Sequence, residues 1–262
     1  MSIMLKEFFS EAYDIVYTFA NTGAEHEDTL RFLNEVDKRY NLGVVWIEAV
    51  VHHGAKKSCT HRVVTYETAS RDSEPFEEMV RKYGLPNQTF KNCTRELKLR
   101  PMQSYLRSIG WTEWVSAIGI RADEMRRVSP TQDAQNIVYP LVHWSPKDKQ
   151  DILDFFEPFD WNLAIEEWEG NCVWCYKKSE RKLFKVWQKD PRNFDTPIRL
   201  DQLYKNVGPN NVPGPRQMYR GRRSAPVLVQ QFQEYGEDAA RGVTDGGCSE
   251  SCEVYETEEI PE

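Results

Sequence analysis

Cys172 and Cys175 stand two residues apart in GNCVWCYKKSERK (170–182), with Trp174 between them and a run of lysines and arginines behind. A C-x-x-C turn points both sulfurs the same way. The pair therefore suits a zinc ion, an iron–sulfur cluster, a thiol redox couple or ordinary core packing. Cys93, in CTRELKLRP (93–101), lies in a second segment that also carries Arg95 and Lys98. Cations beside a thiol favour the thiolate, the form that ligates metal and attacks sulfur. Zinc would want a fourth ligand, and His143, Cys248 and Cys252 are the candidates. The last two, in CSESC near the chain's end, are also thiols that could be carried into a site.

Three other stretches could do chemistry. In TFANTGAEHEDTL (18–30), Asn21, Thr22 and Gly23 supply turn geometry and backbone N–H donors between a strand and a helix start, a place that favours anions. The plain alternative is a turn with a helix cap. In AIGIRADEMRR (117–127), an apolar strand delivers Arg121 at its tip. That guanidinium offers a fork for phosphate or sulfate, or else pairs with Asp123 or Glu124. HHGAKKSCTHR (52–62) gathers His52, His53, Cys59 and His61, but the spacing matches no common zinc pattern. The residue types would suit a metal; the other reading is a loop whose histidines bond to backbone or substrate.

A chain of 262 residues with 40% hydrophobic content can bury a sizeable core. No run of about 18 apolar residues is present, and the first residues lack a cleavage pattern, so a cytoplasmic protein is expected. There, six cysteines point to metal or redox chemistry more than to a disulfide framework. The net charge of −7 is uneven: Gln233 to Glu262 holds ten acidic residues and one basic one. The remaining body is nearly neutral, with basic clusters at KKSERKLFK (177–185) and RQMYRGRR (216–223). Such clusters are solvated surface or seats for a phosphate-bearing ligand.

These residues need elements to hold them. Short apolar strands are expected at 14–20, 43–50, 114–120 and 137–142, alternating with helices, which makes an α/β protein with a mostly parallel, Rossmann-like sheet. The best helix is EDTLRFLNEVDKRYN, with Leu30, Leu33, Val36 and Tyr40 at spacings of three and four. Others fit PFEEMVRKYG, PMQSYLRSIG and SPKDKQDILDFFEPF, the last with Ser145 as N-cap and Pro146 at the first helical position. Two regions are expected: an α/β domain over 1–187 and an irregular extension over 188–262, with one docking helix in APVLVQQFQEYG.

The order of motifs, NTG, then CTRELK, IGIRADE, YPL and NCVWC, resembles the phosphoadenylyl-sulfate (PAPS) reductase family, and most closely its phage-type branch. The resemblance covers about Asp14 to Lys185. It implies the adenine-nucleotide α-hydrolase-like fold and an adenylated substrate: PAPS, adenylyl sulfate (APS) or ATP. By this resemblance Asn21, Thr22 and Gly23 lie on the nucleotide side and Arg121 near the phosphosulfate; Arg95 and Lys98, by their charge, are further candidates to bind the anionic nucleotide. Cys93, Cys172 and Cys175 match the cysteines that hold a 4Fe–4S cluster in adenylyl-sulfate-type members. Thr94 stands where those members have a further cysteine, which leaves either a fourth ligand from elsewhere in the chain or a three-cysteine cluster with an open iron site. The family's N-terminal strand and Ser-Gly-Gly-x-x-Ser phosphate loop are not found ahead of the first helix, nor is its C-terminal Glu-Cys-Gly.

The reading that follows is a PAPS reductase-like enzyme, thiol- and iron–sulfur-dependent. Arg121 would hold the anion, Cys252 or Cys248 would attack the sulfonate sulfur, and a thioredoxin-type donor would resolve the product. Two alternatives stand beside it. One is a sulfur-transfer enzyme acting on RNA or DNA; the other is a non-catalytic nucleotide-binding protein.

Overall fold

The computed structural model describes residues 1–170, 172–208 and 214–240. Cys248 and Cys252 lie outside them. The chain opens with helix α1 (Ser2–Phe9), then strand β1 (Thr18–Ala20), helix α2 (Glu27–Tyr40), strand β2 (Val45–Val50) and strand β3 (Thr60–Val64). Strand β1 pairs parallel to β2, and β3 returns antiparallel on the outer edge. Helix α2 forms for the reason its spacing implies. Leu30 and Val36 are buried, Glu27 and Asp28 open the first turn, and Lys38 and Arg39 close the last. Asn41 ends it in the left-handed conformation.

Helix α3 (Glu74–Tyr83) leads to a longer helical stretch made of α4 (Asn92–Thr94), a π-helical turn (Arg95–Leu99) and α5 (Arg100–Ser108). The π turn sits where the ladder must slip, because Pro101 has no N–H to donate to the carbonyl four residues back. Beyond it come strand β4 (Ser116–Ala117), a 3-10 turn (Ala122–Arg127), strand β5 (Ile137–Val138), and helices α6 (Pro140–His143) and α7 (Lys149–Phe156). Helix α7 starts later than Ser145. Asp148 and Asp151 cap each other's backbone N–H groups at 2.9 Å, and that reciprocal box sets the first turn. Strands β4 and β5 pair parallel with each other, so the expected single sheet appears as a three-stranded and a two-stranded piece. No described helix is long and apolar enough to cross a membrane.

Residues past 188 are far more regular than their proline and asparagine content implies. Helices α8 (Glu180–Lys189), α9 (Asp195–Tyr204) and α10 (Ala225–Tyr235) pack together, and Phe194, Leu200, Leu228 and Phe232 share one core cluster with Cys93, Cys172 and Cys175. Asp201 of α9 is buried and accepts the Ala225 N–H at the start of α10, while its Oδ1 has no partner. Burial pushes its carboxyl from the ordinary 3.8 up to about 6. The folded chain therefore binds this proton more tightly than the unfolded one. The resulting stability is complete below pH ~4 and is lost as pH rises towards ~6. About two pKa units set an upper bound near 3 kcal/mol on the change. Asp201→Asn keeps an acceptor for Ala225 and is expected to flatten this fall. Urea midpoints from pH 4 to 7 check it, and an unchanged slope in the variant would refute the assignment.

Candidate functional site

Strand β1 ends at Ala20, and the chain turns through Asn21, Thr22 and Gly23 before α2 begins. All three are buried. Gly23 has φ +76, and a Cβ there would meet Ser70 Oγ at 2.7 Å, so the turn needs glycine for both conformation and space. The Asn21 Nδ2 donates to Glu48 Oε1 (2.7 Å) and to the Ser70 carbonyl (2.9 Å); its Oδ1 is buried without a partner. Glu25 folds back under the loop. It accepts from Thr22 N (3.0 Å), Thr22 Oγ1 (2.7 Å) and Ala24 N (3.2 Å). The anion-friendly N–H groups of the loop are thus already matched to a carboxylate of the chain itself.

The Cys172 turn meets this loop from 150 residues away. Glu25 and Cys172 form an antiparallel bridge, and Val173 N donates to the Ala24 carbonyl at 2.9 Å. Cys172 Sγ lies 3.5 Å from Thr22 Oγ1 and 4.0 Å from Glu25 Oε1. Within the turn, Cys175 N donates to the Cys172 carbonyl at 3.1 Å. Cys93 Sγ lies 3.9 Å from the Tyr176 hydroxyl, so it too reaches this segment. The four described cysteines are buried and carry no disulfide. Among the described residues, no three His, Cys, Asp or Glu side chains are grouped to hold a metal ion.

The basic residues beside the cysteines are not the open phosphate seat that their run suggests. Lys177 and Lys178 are buried. Lys178 Nζ donates to the Trp168 carbonyl (2.6 Å) and the Val173 carbonyl (2.9 Å), so it clamps the turn from inside. Desolvation lowers its amine to about 8, with Cys175 and Cys172 acting in the opposite sense. Arg216 is also buried, over the Phe90 ring at 3.9 Å and donating to the Tyr83 carbonyl. Arg220 and Tyr219 donate to the carbonyls of Lys177 and Trp174. The second basic cluster is thus a strap over the cysteine turn, because buried cations are matched to carbonyls and carboxylates.

The other expected residues have partners of their own. Arg121 holds Asp123 through two bonds (2.9 and 3.0 Å) and caps its own 3-10 turn with Glu124. A ligand anion would have to displace Asp123. Arg95 donates to Glu96, and with Lys98 it lies in the π turn beside Cys93. The histidines of 52–61 bond to neighbours: His52 to Thr60, His53 to Glu78 and His61 to Ser104. A cleft of about 710 Å³ opens by Leu99, Gln103, Trp114, Ser116 and Asn136, at the N-terminal ends of β4 and β5. Ligands of parallel sheets bind at the opposite end, so it does not compete for the site. Sequence reasoning missed Glu25, Glu48 and Tyr176. Of these only Glu25 left a signal, since Thr22-x-x-Glu25 has the spacing of a capping box.

Comparison with known proteins fits this picture. The family model for the phosphoadenosine phosphosulfate reductase domain matches residues 1–155. An uncharacterised nin region protein of Escherichia phage lambda is 31% identical over 254 residues, 92% of this chain and 86% of that protein. An uncharacterised protein of Methanocaldococcus jannaschii is 23% identical over 140 residues, 50% of this chain and 24% of its own length. No solved structure matches.

Proposed function

The chain belongs to the phosphoadenosine phosphosulfate reductase domain family, and from that premise we propose that it reduces an adenylated sulfonucleotide by thiol chemistry. The observation that carries the reading is the contact of Cys172 Sγ with Thr22 Oγ1, which joins a thiol pair to the loop expected to face the nucleotide. The family match ends at residue 155, so the cysteine turn lies outside it and comes to the loop by folding.

In this reading Asn21 Oδ1, a buried acceptor without a partner, takes an N–H or O–H of the nucleotide. Arg121 exchanges Asp123 for the phosphosulfate, with Arg95 and Lys98 adding positive charge. A thiolate of the chain attacks the sulfonate sulfur as the sulfur–oxygen bond to the nucleotide's phosphate breaks. The nucleotide leaves with that electron pair, and a thioredoxin-type dithiol returns the enzyme to its starting state.

The test is calorimetric binding of adenosine 5′-phosphosulfate and its 3′-phosphorylated form, followed by sulfite release with a dithiol present. Binding to one of them and sulfite in step with free nucleotide are the expected results. Asn21→Ala and Arg121→Ala should each weaken binding by roughly tenfold or more, the worth of a lost charge-assisted or buried hydrogen bond. A folded chain that neither binds nor cleaves either compound would overturn the proposal.

A further inference from the structure

We propose that Cys172 and Cys175 are themselves the reacting dithiol, Cys172 as nucleophile and Cys175 as the resolving thiol. This rests on the sulfonucleotide reading above and names the residues of its sulfur step. Cys248 and Cys252 are then not needed for it.

The geometry divides the two roles. Cys172 faces the nucleotide-side loop, with Thr22 Oγ1 at 3.5 Å and, at 4.0 Å, the Glu25 carboxylate, which can take its proton. Cys175 closes the same turn three residues on, where the buried Lys178 ammonium holds the Val173 carbonyl at 2.9 Å. The 3.1 Å bond from Cys175 N to the Cys172 carbonyl closes a four-residue turn. Such turns hold their end Cα atoms within about 7 Å, and a disulfide needs roughly 4.4–6.8 Å. The turn is therefore already shaped to close. It is also held in place from outside the pair, by Ala24, by the two bonds of Lys178 and by the Tyr219 hydroxyl on the Trp174 carbonyl. Plain core packing would not require a carboxylate to face Cys172 while a buried ammonium holds the turn's own Val173 carbonyl.

The step balances. Cys172 passes its proton to Glu25 and bonds to the sulfonate sulfur, while the sulfur–oxygen bond breaks and its electrons leave on the nucleotide's phosphate. Cys175, its proton lost to solvent, then attacks Cys172 Sγ. The Cys172–Cys175 disulfide forms, and the electron pair of the broken bond leaves on sulfite. The dithiol loses two electrons and the sulfonate sulfur gains them. An external dithiol reduces the disulfide by exchange.

The experiment uses the full chain, reduced and freed of reductant without oxygen. One addition of adenosine 5′-phosphosulfate should release one sulfite per chain, and peptide mass mapping should find the Cys172–Cys175 disulfide. Cys175→Ser should stop with a sulfonate retained on Cys172 and release sulfite only when thiol is added. A sulfonate or disulfide mapped to Cys248, Cys252 or Cys93 instead would overturn the assignment. A second measurement needs neither a variant nor turnover: equilibration with mixtures of reduced and oxidised dithiothreitol, read by mass. A two-electron transition confined to Cys172 and Cys175 supports the couple, and its absence sinks it even if nucleotide binds. A couple that titrates while neither sulfonucleotide is bound or cleaved would instead overturn the proposed substrate.

Discussion

Arg223→Met is expected to destabilise the folded chain by about 3–5 kcal/mol, the cost of stripping a buried charge of its partner. Glu180 opens helix α8 just after the cysteine turn and is 3% exposed. Its Oε1 accepts from the Arg223 guanidinium, and its Oε2 has no partner. Arg223 is fixed in turn by the Arg220 carbonyl and Gln231 Oε1, both at 2.8 Å. Methionine replaces the bulk and removes the cation, which leaves the carboxylate in the core uncompensated. The paired change Glu180→Leu with Arg223→Met should recover most of the loss, because an apolar pair of similar volume is often no worse than a buried ion pair. Urea unfolding of the single and double variants decides it. Equal losses in both would show that the strap is held by packing and not by this charge pair. The consequence reaches the site, since residues 219–223 also hold the Trp174 and Lys177 carbonyls of the cysteine turn.

That strap marks the boundary of what could be read from the sequence. Helix α2 was legible because its apolar residues repeat every three or four positions and its ends carry the right charges, all local properties. The start of α7 was not, because two local signals competed. A Ser-Pro pair announces a helix start, but Asp148 and Asp151 satisfy each other's backbone and win. Strand β3 was hidden: THRVV is short, half exposed and carries His61 and Arg62, so its pattern looks like loop. The turn residues Asn21 to Gly23 and the thiol pair could each be singled out by type and spacing. Their meeting could not, since nothing in either stretch encodes a partner 150 residues distant. The basic clusters misled for a related reason. A lysine reads as surface unless carbonyls are waiting for it, and those of Trp168 and Val173 become visible only once the chain is folded.

Glu48→Ala should cost a comparable amount, about 3–5 kcal/mol, and should weaken nucleotide binding as well. Glu48 is fully buried in β2, where every neighbour along the strand is apolar. Its Oε1 accepts from Asn21 Nδ2 and from Ser70 N, both at 2.7 Å, and its Oε2 from Arg62 Nε at 2.9 Å. Alanine leaves the Ser70 N–H and one Asn21 N–H without an acceptor, at about 1–3 kcal/mol each, with a cavity added. The Arg62 contact contributes less, because that side chain is 46% exposed and water screens it. Arg62→Gln should therefore be much milder than Glu48→Ala, and urea midpoints of the two variants test that order. A reversed order would mean that the carboxylate is held for Arg62 rather than for the loop. Binding supplies the second readout. Glu48 fixes the Asn21 amide so that its Oδ1 stays the available acceptor, so Glu48→Ala should lose nucleotide affinity under conditions where the variant is still folded. Intact affinity would free Asn21 from the role proposed for it. A carboxylate in the middle of an apolar strand is costly to bury, and here its bonds run to the turn that meets Cys172. The stability cost and the functional site then have one physical origin: the loop after β1 is held rigid from beneath by Glu48 and from the side by Glu25, so that a thiol can be kept beside it.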